Sequence, residues 1–254
     1  MLKGSVPRKF TALLRRSHTP KQVTVPGKHA SMIDMRKIWI VWLAGFLAAT
    51  ILAPSVPIHS LDVAASGFLE PWGRQYSVLQ LIWVAGGIPL TALIVVYIAS
   101  GHFGRKPAQW RILGLFVLGS IIEVVVKHFV ATAFPPNVPP SGDLRHLILW
   151  TNVEPSTVLA WIRDIHGGPA ATHFSSSDLF RGSFPSGHVF RITYAYGLFL
   201  ASQWRLMTAA VACVCVVATG GHWIWDAVGG YLLASLCLEG ARVPAIEGEV
   251  VSHG

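Results

Sequence analysis

Charged side chains are scarce in this sequence, and their scarcity excludes an ordinary soluble domain. Of the 254 residues, only 13% are Asp, Glu, Lys or Arg, whereas 52% are hydrophobic. Soluble domains carry about 25% charged residues, so the composition predicts a membrane protein. At about 20 residues per span, a chain of this length accommodates roughly six membrane-spanning helices with their loops.

Cysteine is also rare, and its placement excludes two kinds of site. Cys213, Cys215 and Cys237 lie inside apolar runs and show no CxxC spacing, so neither a disulfide framework nor a zinc site is expected. We interpret all three as small side chains of the core. A cleaved signal peptide is not expected either, because the first long apolar run begins only near Ile38 and is too long.

The positive net charge does not predict a nucleic-acid partner. The formal charge is +8, but nine of the twenty basic residues precede Ile38. They lie in residues 1–37, a tail rich in Pro, Ser and Thr that we predict to be disordered, cytoplasmic and close to anionic lipid head groups. Residues 38–241 are predicted to form the membrane domain, with an extracytoplasmic loop at 135–184, and residues 242–254 a short cytoplasmic tail.

Apolar runs predict an all-α bundle of six transmembrane helices. The spans cover approximately residues 38–56, 77–100, 112–134, 185–205, 205–220 and 222–241, with Trp204 and Arg205 as a very short fourth connection. Residues 59–75 mix polar and apolar positions, and a short helix is predicted over 156–166. With six spans, fourteen basic residues fall in the segments on the side of the N-terminus and four in the opposite loops. The positive-inside rule then places the protein in the cell membrane with both termini in the cytoplasm.

Two short stretches carry unusual polar residues at predicted ends of spans. In the second, His222 and Asp226 are four residues apart, a spacing that puts both on one face of a helix. A buried carboxylate fixes the tautomer of its imidazole, as a nucleophilic histidine requires. In the first, Ser186, Gly187 and His188 supply a hydroxyl, an unhindered amide and a second imidazole at a predicted helix start. Helix starts bind anions, so the pattern predicts a nucleophile facing a phosphate site.

The same residues carry a family resemblance. Pro185-Ser186-Gly187-His188, followed by His222-x-x-x-Asp226 and Gly229-Gly230, resembles the type-2 phosphatidic acid phosphatase superfamily of lipid phosphatases. The resemblance covers approximately residues 38–240. It implies a membrane-embedded helical bundle that hydrolyses lipid phosphates without a metal or other cofactor.

The resemblance also implies a role for each motif residue. His222 would attack phosphorus and form a phosphohistidine, with Asp226 orienting its ring. His188 would protonate the leaving lipid oxygen and then activate water. Ser186 and the amide of Gly187 would hold the non-bridging oxygens.

The sequence departs from the family in the basic side chains that would bind the phosphate. Lys127 matches the lysine of the first family signature, but six residues separate it from Phe134-Pro135, where the family has Arg-Pro. The Ser-Arg pair of the third signature falls on Cys215 and Val216. Two phosphate-binding arginines are therefore missing, and an otherwise unchanged site should be slow or inactive, since such groups contribute about 10²–10³ in rate.

Arg191 is the candidate replacement. It lies three residues after His188, on the same helical face, and an arginine inside a span needs a polar partner. We hypothesise that Arg191 supplies charge to the phosphate; an ion pair with Glu123 is the alternative. Lys127 has the same alternative partner at i,i+4 spacing. Arg181 and Arg145, in the outer loop, are weaker candidates.

Three functions follow from these residues. The first is an enzyme, a lipid phosphatase acting on a phosphomonoester or pyrophosphate at the extracytoplasmic face, with polyprenyl pyrophosphate, phosphatidic acid and phosphatidylglycerol phosphate as candidate substrates. The second is transfer of the phosphoryl or phospho-head group to another alcohol. The third is a catalytically degenerate member that binds phospholipid or supports a partner. A transporter is disfavoured, because the polar residues gather at one face and not at mid-membrane.

Overall fold

The computed structural model describes residues 30–101, 106–136 and 181–241, and every regular element in these ranges is helical. The prediction of an all-α fold is confirmed for this part of the chain. The helices are α1 (Ala30–Leu52), α2 (Val56–Gln75), α3 (Leu81–Ala85), α4 (Ile88–Gly101), α5 (Lys106–Val130), α6 (Gly187–Gly197), α7 (Ser202–Ala218) and α8 (Ile224–Ala241). A 3-10 helix, Ser77–Gln80, precedes α3. The helix predicted over 156–166 lies outside the described residues.

The first two helices meet at a sharp bend. α1 begins at Ala30, ahead of the predicted start at Ile38, and ends before Pro54. α2 carries Pro57 in its first turn, where the missing N–H of proline leaves no helical hydrogen bond unmade. The axes of α2 and of α1 from Lys37 differ by 91°.

Residues 59–75, to which the sequence analysis assigned no span, belong to α2. The buried residues of this helix are polar or small and recur at helical spacing: Asp62, Ser66 and Gly73. Its exposed residues include large apolar side chains: Leu61, Val63, Phe68 and Trp72. In a helix on a water-facing surface, the apolar residues are buried and the polar residues are exposed. In α2 the arrangement is the opposite, which is why the sequence pattern did not identify it as a helix.

The predicted boundary between the fourth and fifth spans was wrong. α6 ends at Gly197 and α7 begins at Ser202, so Trp204 and Arg205 lie in the first turn of α7 and do not form the connection. Gly197 ends α6 where its Cα packs closely against Leu238 of α8. The apolar run continues through this break, which is why hydropathy placed the boundary too late.

Helix α8 lies at the centre of the bundle and contacts α1, α5, α6 and α7. Every residue of α6 except Tyr196 is buried, and Phe190 and Leu233 are among the largest side chains of the core. Cys215 and Cys237 are buried, as predicted, whereas Cys213 is half-buried. The faces of α6 and α8 that meet therefore form the most protected part of the described structure.

Among the residues that the structure describes, one helix is long and apolar enough by itself to cross a membrane. It covers Ala108–Val130 of α5, and the number of candidate spans rises to three if each of two bent pairs is a single span. The pairs are α1 from Lys37 with α2, and residues 77–85 with α4, which meet at 51°. Six spans remain a prediction.

Two glycines of α2 provide a matched test of packing. A Cβ at Gly73 would collide with the backbone carbonyl of Ala218 in α7, whereas a Cβ at Gly67 meets no atom within 4 Å. Gly73→Ala should lower the free energy of unfolding by about 1–3 kcal/mol. Gly67→Ala should leave it unchanged or raise it by up to about 1 kcal/mol, because alanine favours the helix. Thermal unfolding of the two variants measures the difference; equal midpoints would contradict the α2–α7 contact.

Candidate active site

His222 and Asp226 form a buried pair at the start of α8. The chain leaves α7 through Gly220, whose φ of 71° is in the left-handed region that favours glycine. His222 lies in the turn before α8, which begins at Ile224. The prediction that His222 shares a helical face with Asp226 was therefore wrong. The two side chains still meet, with His222 Nδ1 3.3 Å from Asp226 Oδ2. An ionised carboxylate only accepts, so Nδ1 carries the proton and Nε2 keeps its lone pair.

The ring of His222 is buried, with Nδ1 against Asp226 and with Lys127 and Glu123 within electrostatic range. A neutral imidazole is the form in which a histidine is nucleophilic.

Asp226 is held by three further bonds. Its Oδ2 also accepts the backbone N–H of Trp223 at 3.0 Å, and its Oδ1 accepts the hydroxyl of Ser183 at 3.2 Å. Its backbone carbonyl accepts the N–H of Ser186 at 2.8 Å. Hydrogen bonds to both oxygens fix the direction of the carboxylate, so the ring of His222 is held in one orientation.

The start of α6 carries the motif that contains Ser186, Gly187 and His188. Ser186 is the N-cap, and its hydroxyl accepts the N–H of Val189 at 3.4 Å, so this side chain caps α6. His188 lies in the first turn, and its ring meets Trp83 edge to face at 4.5 Å between centres. The rings of His188 and His222 are 6.3 Å apart between centres. The two imidazoles thus face a common region without stacking.

Three charged side chains form a buried network beside the histidines. Lys127 Nζ lies 3.1 Å from one oxygen of Glu123, and Arg191 donates to the other oxygen at 3.0 Å. Arg191 also donates through Nε to the carbonyl of Gly86 at 2.8 Å. The ion pairs that the sequence analysis considered for Lys127 and Arg191 are therefore confirmed. Both cations lie within electrostatic range of His188.

The carboxylate of Glu123 lies at the start of α6. It lies directly against the Cα of Gly187, so that a Cβ at this position would collide with it. The N-terminus of a helix attracts anions through its free N–H groups and dipole. Here Lys127 and Arg191 add positive charge to that attraction. An anion bound at the start of α6 would therefore share these cations with Glu123 or displace it.

The predicted site residues come together. All are buried and lie in the described ranges: Lys127, Ser186, Gly187, His188, Arg191, His222 and Asp226. Among the weaker candidates, Arg181 is exposed and Arg145 lies outside the described residues. The position that matches the missing second arginine, Val216, is fully buried and apolar.

Sequence reasoning missed three contributors to this site. Ser183 bonds Asp226, the ring of Trp83 lies against His188, and the carbonyl of Gly86 accepts from Arg191. Ser183 stands close to the Pro-Ser-Gly-His motif, which was the available signal. Nothing distinguishes Trp83 from the other nine tryptophans of the sequence.

The chain was also compared with protein-family models, with curated proteins and with solved structures. None of the three comparisons found a match. The proposed function therefore rests on the geometry of the buried His222–Asp226 pair, His188 and the charged network.

Proposed function

We propose that this protein is an integral membrane lipid phosphatase that hydrolyses a phosphomonoester or pyrophosphate through a phosphohistidine intermediate. The proposal rests on the hydrogen bond between His222 and Asp226. A second buried histidine, His188, lies beside this pair, with its ring centre 6.3 Å from that of His222. A carboxylate-oriented imidazole with a neighbouring acid–base group is what a two-step displacement at phosphorus requires.

The surface of the helices supports a membrane location. α5 exposes a series of large apolar side chains along its length: Val117, Leu118, Ile121, Val125 and Phe129. Further large apolar side chains are exposed on α1, α4 and α7. Exposed apolar area of this extent favours contact with lipid over contact with water. The basic residues favour both termini in the cytoplasm, with the site opening at the extracytoplasmic face.

The proposed reaction has two steps. Nε2 of His222 attacks phosphorus, the P–N bond forms, and the bond from phosphorus to the lipid oxygen breaks as His188 donates a proton to that oxygen. His188 then takes a proton from water, whose oxygen attacks phosphorus and releases phosphate and neutral His222. The N–H of Gly187, Lys127 and Arg191 would stabilise the negative charge that develops on the non-bridging oxygens.

A second candidate function is supported by Glu123. Its carboxylate already neutralises part of the positive charge of Lys127 and Arg191 and lies against the start of α6. This arrangement favours a catalytically degenerate protein that binds phospholipid without turnover. Transfer of the phosphoryl or phospho-head group to an alcohol is a variant of the enzymatic proposal, in which the alcohol replaces water in the second step.

The test is phosphate release by the purified protein in detergent against polyprenyl pyrophosphate, phosphatidic acid and phosphatidylglycerol phosphate. We expect release from at least one lipid, together with an acid-labile phosphorylated form of the protein. His222→Ala protein prepared in the same way controls for contaminating phosphatases. No release from any lipid, with lipid binding intact, would support the degenerate function instead. Product esters formed in the presence of an added alcohol would indicate transfer.

A further inference from the structure

A cavity of about 300 Å³ lies behind the His222–Asp226 pair. It is lined by the end of α1, the first turns of α2, the chain that follows α5 and the start of α8. The lining residues are Ala53, Pro54, His59, Asp62, Val130, Ala131, Thr132, Ala133, Trp223, Trp225 and Asp226. Neither His222 nor His188 is among them, so the cavity adjoins the site through Asp226 but does not include the two histidines.

The carboxylate of Asp62 is the distinctive polar group of the cavity. Asp62 is 4% exposed, and one of its oxygens accepts the backbone N–H of Trp225 at 2.9 Å. Within the described residues it forms no ion pair. A buried carboxylate is costly to keep charged, and a cation bound beside it would offset that cost. Asp226 also lines the cavity, but its oxygens are already bonded to Ser183, His222 and Trp223.

Trp223 and Trp225 are among the lining residues, and the indole rings of both are fixed by hydrogen bonds. The Nε1–H of Trp223 donates to the carbonyl of Ala133 at 2.7 Å, and that of Trp225 to the carbonyl of Ala49 at 3.0 Å. The ring of His59 meets Trp223 edge to face at 5.4 Å between centres. The face of an aromatic ring attracts cations through its quadrupole, and tryptophan does so most strongly.

We infer that this cavity binds an alkylammonium group, which the carboxylate of Asp62 and the rings of Trp223 and Trp225 recognise together. The combination of a carboxylate and aromatic faces suits a quaternary ammonium ion, whose methyl groups need apolar contact and whose charge needs a counter-ion. In the described residues, no group of three or more His, Cys, Asp or Glu is arranged to hold a metal ion. An organic cation therefore fits the lining better than a divalent metal. The ammonium group comes either from a phospholipid head group or from a free amine.

Binding is measured by equilibrium dialysis of radiolabelled choline against the full chain in a maltoside detergent, which carries no ammonium group. On the wild-type protein, unlabelled choline should displace the label at least tenfold better than 3,3-dimethylbutanol, its uncharged isostere. Asp62→Asn keeps the size of the side chain and should weaken binding at least tenfold. Glu70→Gln removes another carboxylate from α2, one paired with Arg74 outside the cavity, and should leave binding unchanged.

The outcomes separate clearly. Equal competition by choline and its uncharged isostere would overturn the inference, and this comparison needs no variant, so it decides even if Asp62→Asn fails to fold. A folded Asp62→Asn protein with wild-type affinity would overturn it as well.

Nanodiscs distinguish the two sources of the ammonium group. Reconstitution in phosphatidylcholine nanodiscs should abolish binding of free choline if a lipid head group is the occupant, whereas phosphatidylglycerol nanodiscs should not. Free choline that binds equally in both bilayers indicates a free amine, and absence of binding to choline and to phosphatidylcholine would overturn the inference.

Discussion

Phosphate release should fall on the order of 10⁴-fold or more when His222 is replaced by alanine, because the proposed intermediate forms on this ring. The initial rate of phosphate release from the best lipid of the panel measures the effect. His128→Ala is the matched control, since His128 lies near the end of α5 against Phe129 and outside the charged network. Wild-type release by His222→Ala protein would contradict the proposed nucleophile.

Asp226→Asn tests whether the carboxylate of Asp226 orients the ring of His222, while the ring itself stays in place. The amide has the shape of the carboxylate, but it no longer requires a proton on Nδ1 of His222. A wrong tautomer leaves the nucleophilic lone pair on the wrong nitrogen, and we expect release to fall by up to about 10⁴-fold. Folding should be retained, because the amide oxygen can still accept the hydroxyl of Ser183 or the N–H of Trp223. A variant with full activity would show that the carboxylate does not position the ring.

Removal of the negative charge at Glu123 should change stability and anion binding in opposite directions. Glu123→Gln leaves Lys127 and Arg191 buried without their shared counter-ion, and breaking a buried ion pair in this way costs about 3–5 kcal/mol. The same change frees two cations at the start of α6. Inorganic phosphate should therefore bind at least tenfold more tightly and restore part of the lost stability.

Thermal unfolding with and without phosphate measures both effects of Glu123→Gln in one experiment. Glu70→Gln is the control, because the pair of Glu70 with Arg74 is near the surface and should contribute no more than about 1 kcal/mol. If Glu123→Gln unfolds at the wild-type temperature, or if phosphate does not stabilise it more than the wild type, the charged network does not form the anion site.

Local spacing was enough to predict the pairs that are close in sequence. His222 with Asp226 and Glu123 with Lys127 are each four residues apart, and both pairs form. The cap formed by Ser186 also follows from its own position before α6. In each case the interacting groups are brought together by the backbone of one helix or one turn, so no knowledge of the tertiary fold is needed.

Contacts between distant segments could not be derived in the same way. The approach of Glu123 to Gly187 and the bond from Arg191 to Gly86 depend on how α5, α6 and the residues before α4 pack. Sequence reasoning treated Gly187 as an open amide for phosphate, whereas packing places a carboxylate against it. The reversed pattern of α2, with Asp62 inside, has a similar origin, since its polar face is defined by the cavity that it helps to enclose.

The backbone bond from Ser186 to the carbonyl of Asp226 couples the two motifs mechanically. The contact is reinforced where Gly230 lies close to the carbonyl of Ser186 and Gly229 lies against the ring of Phe184. His222 and His188 are therefore expected to move as one rigid body, with no hinge between them. If the proposed lipid substrate enters, any widening of the site must then come from the elements around this body. The speed of that motion, and not of chemistry, would limit turnover if lipid entry is slow.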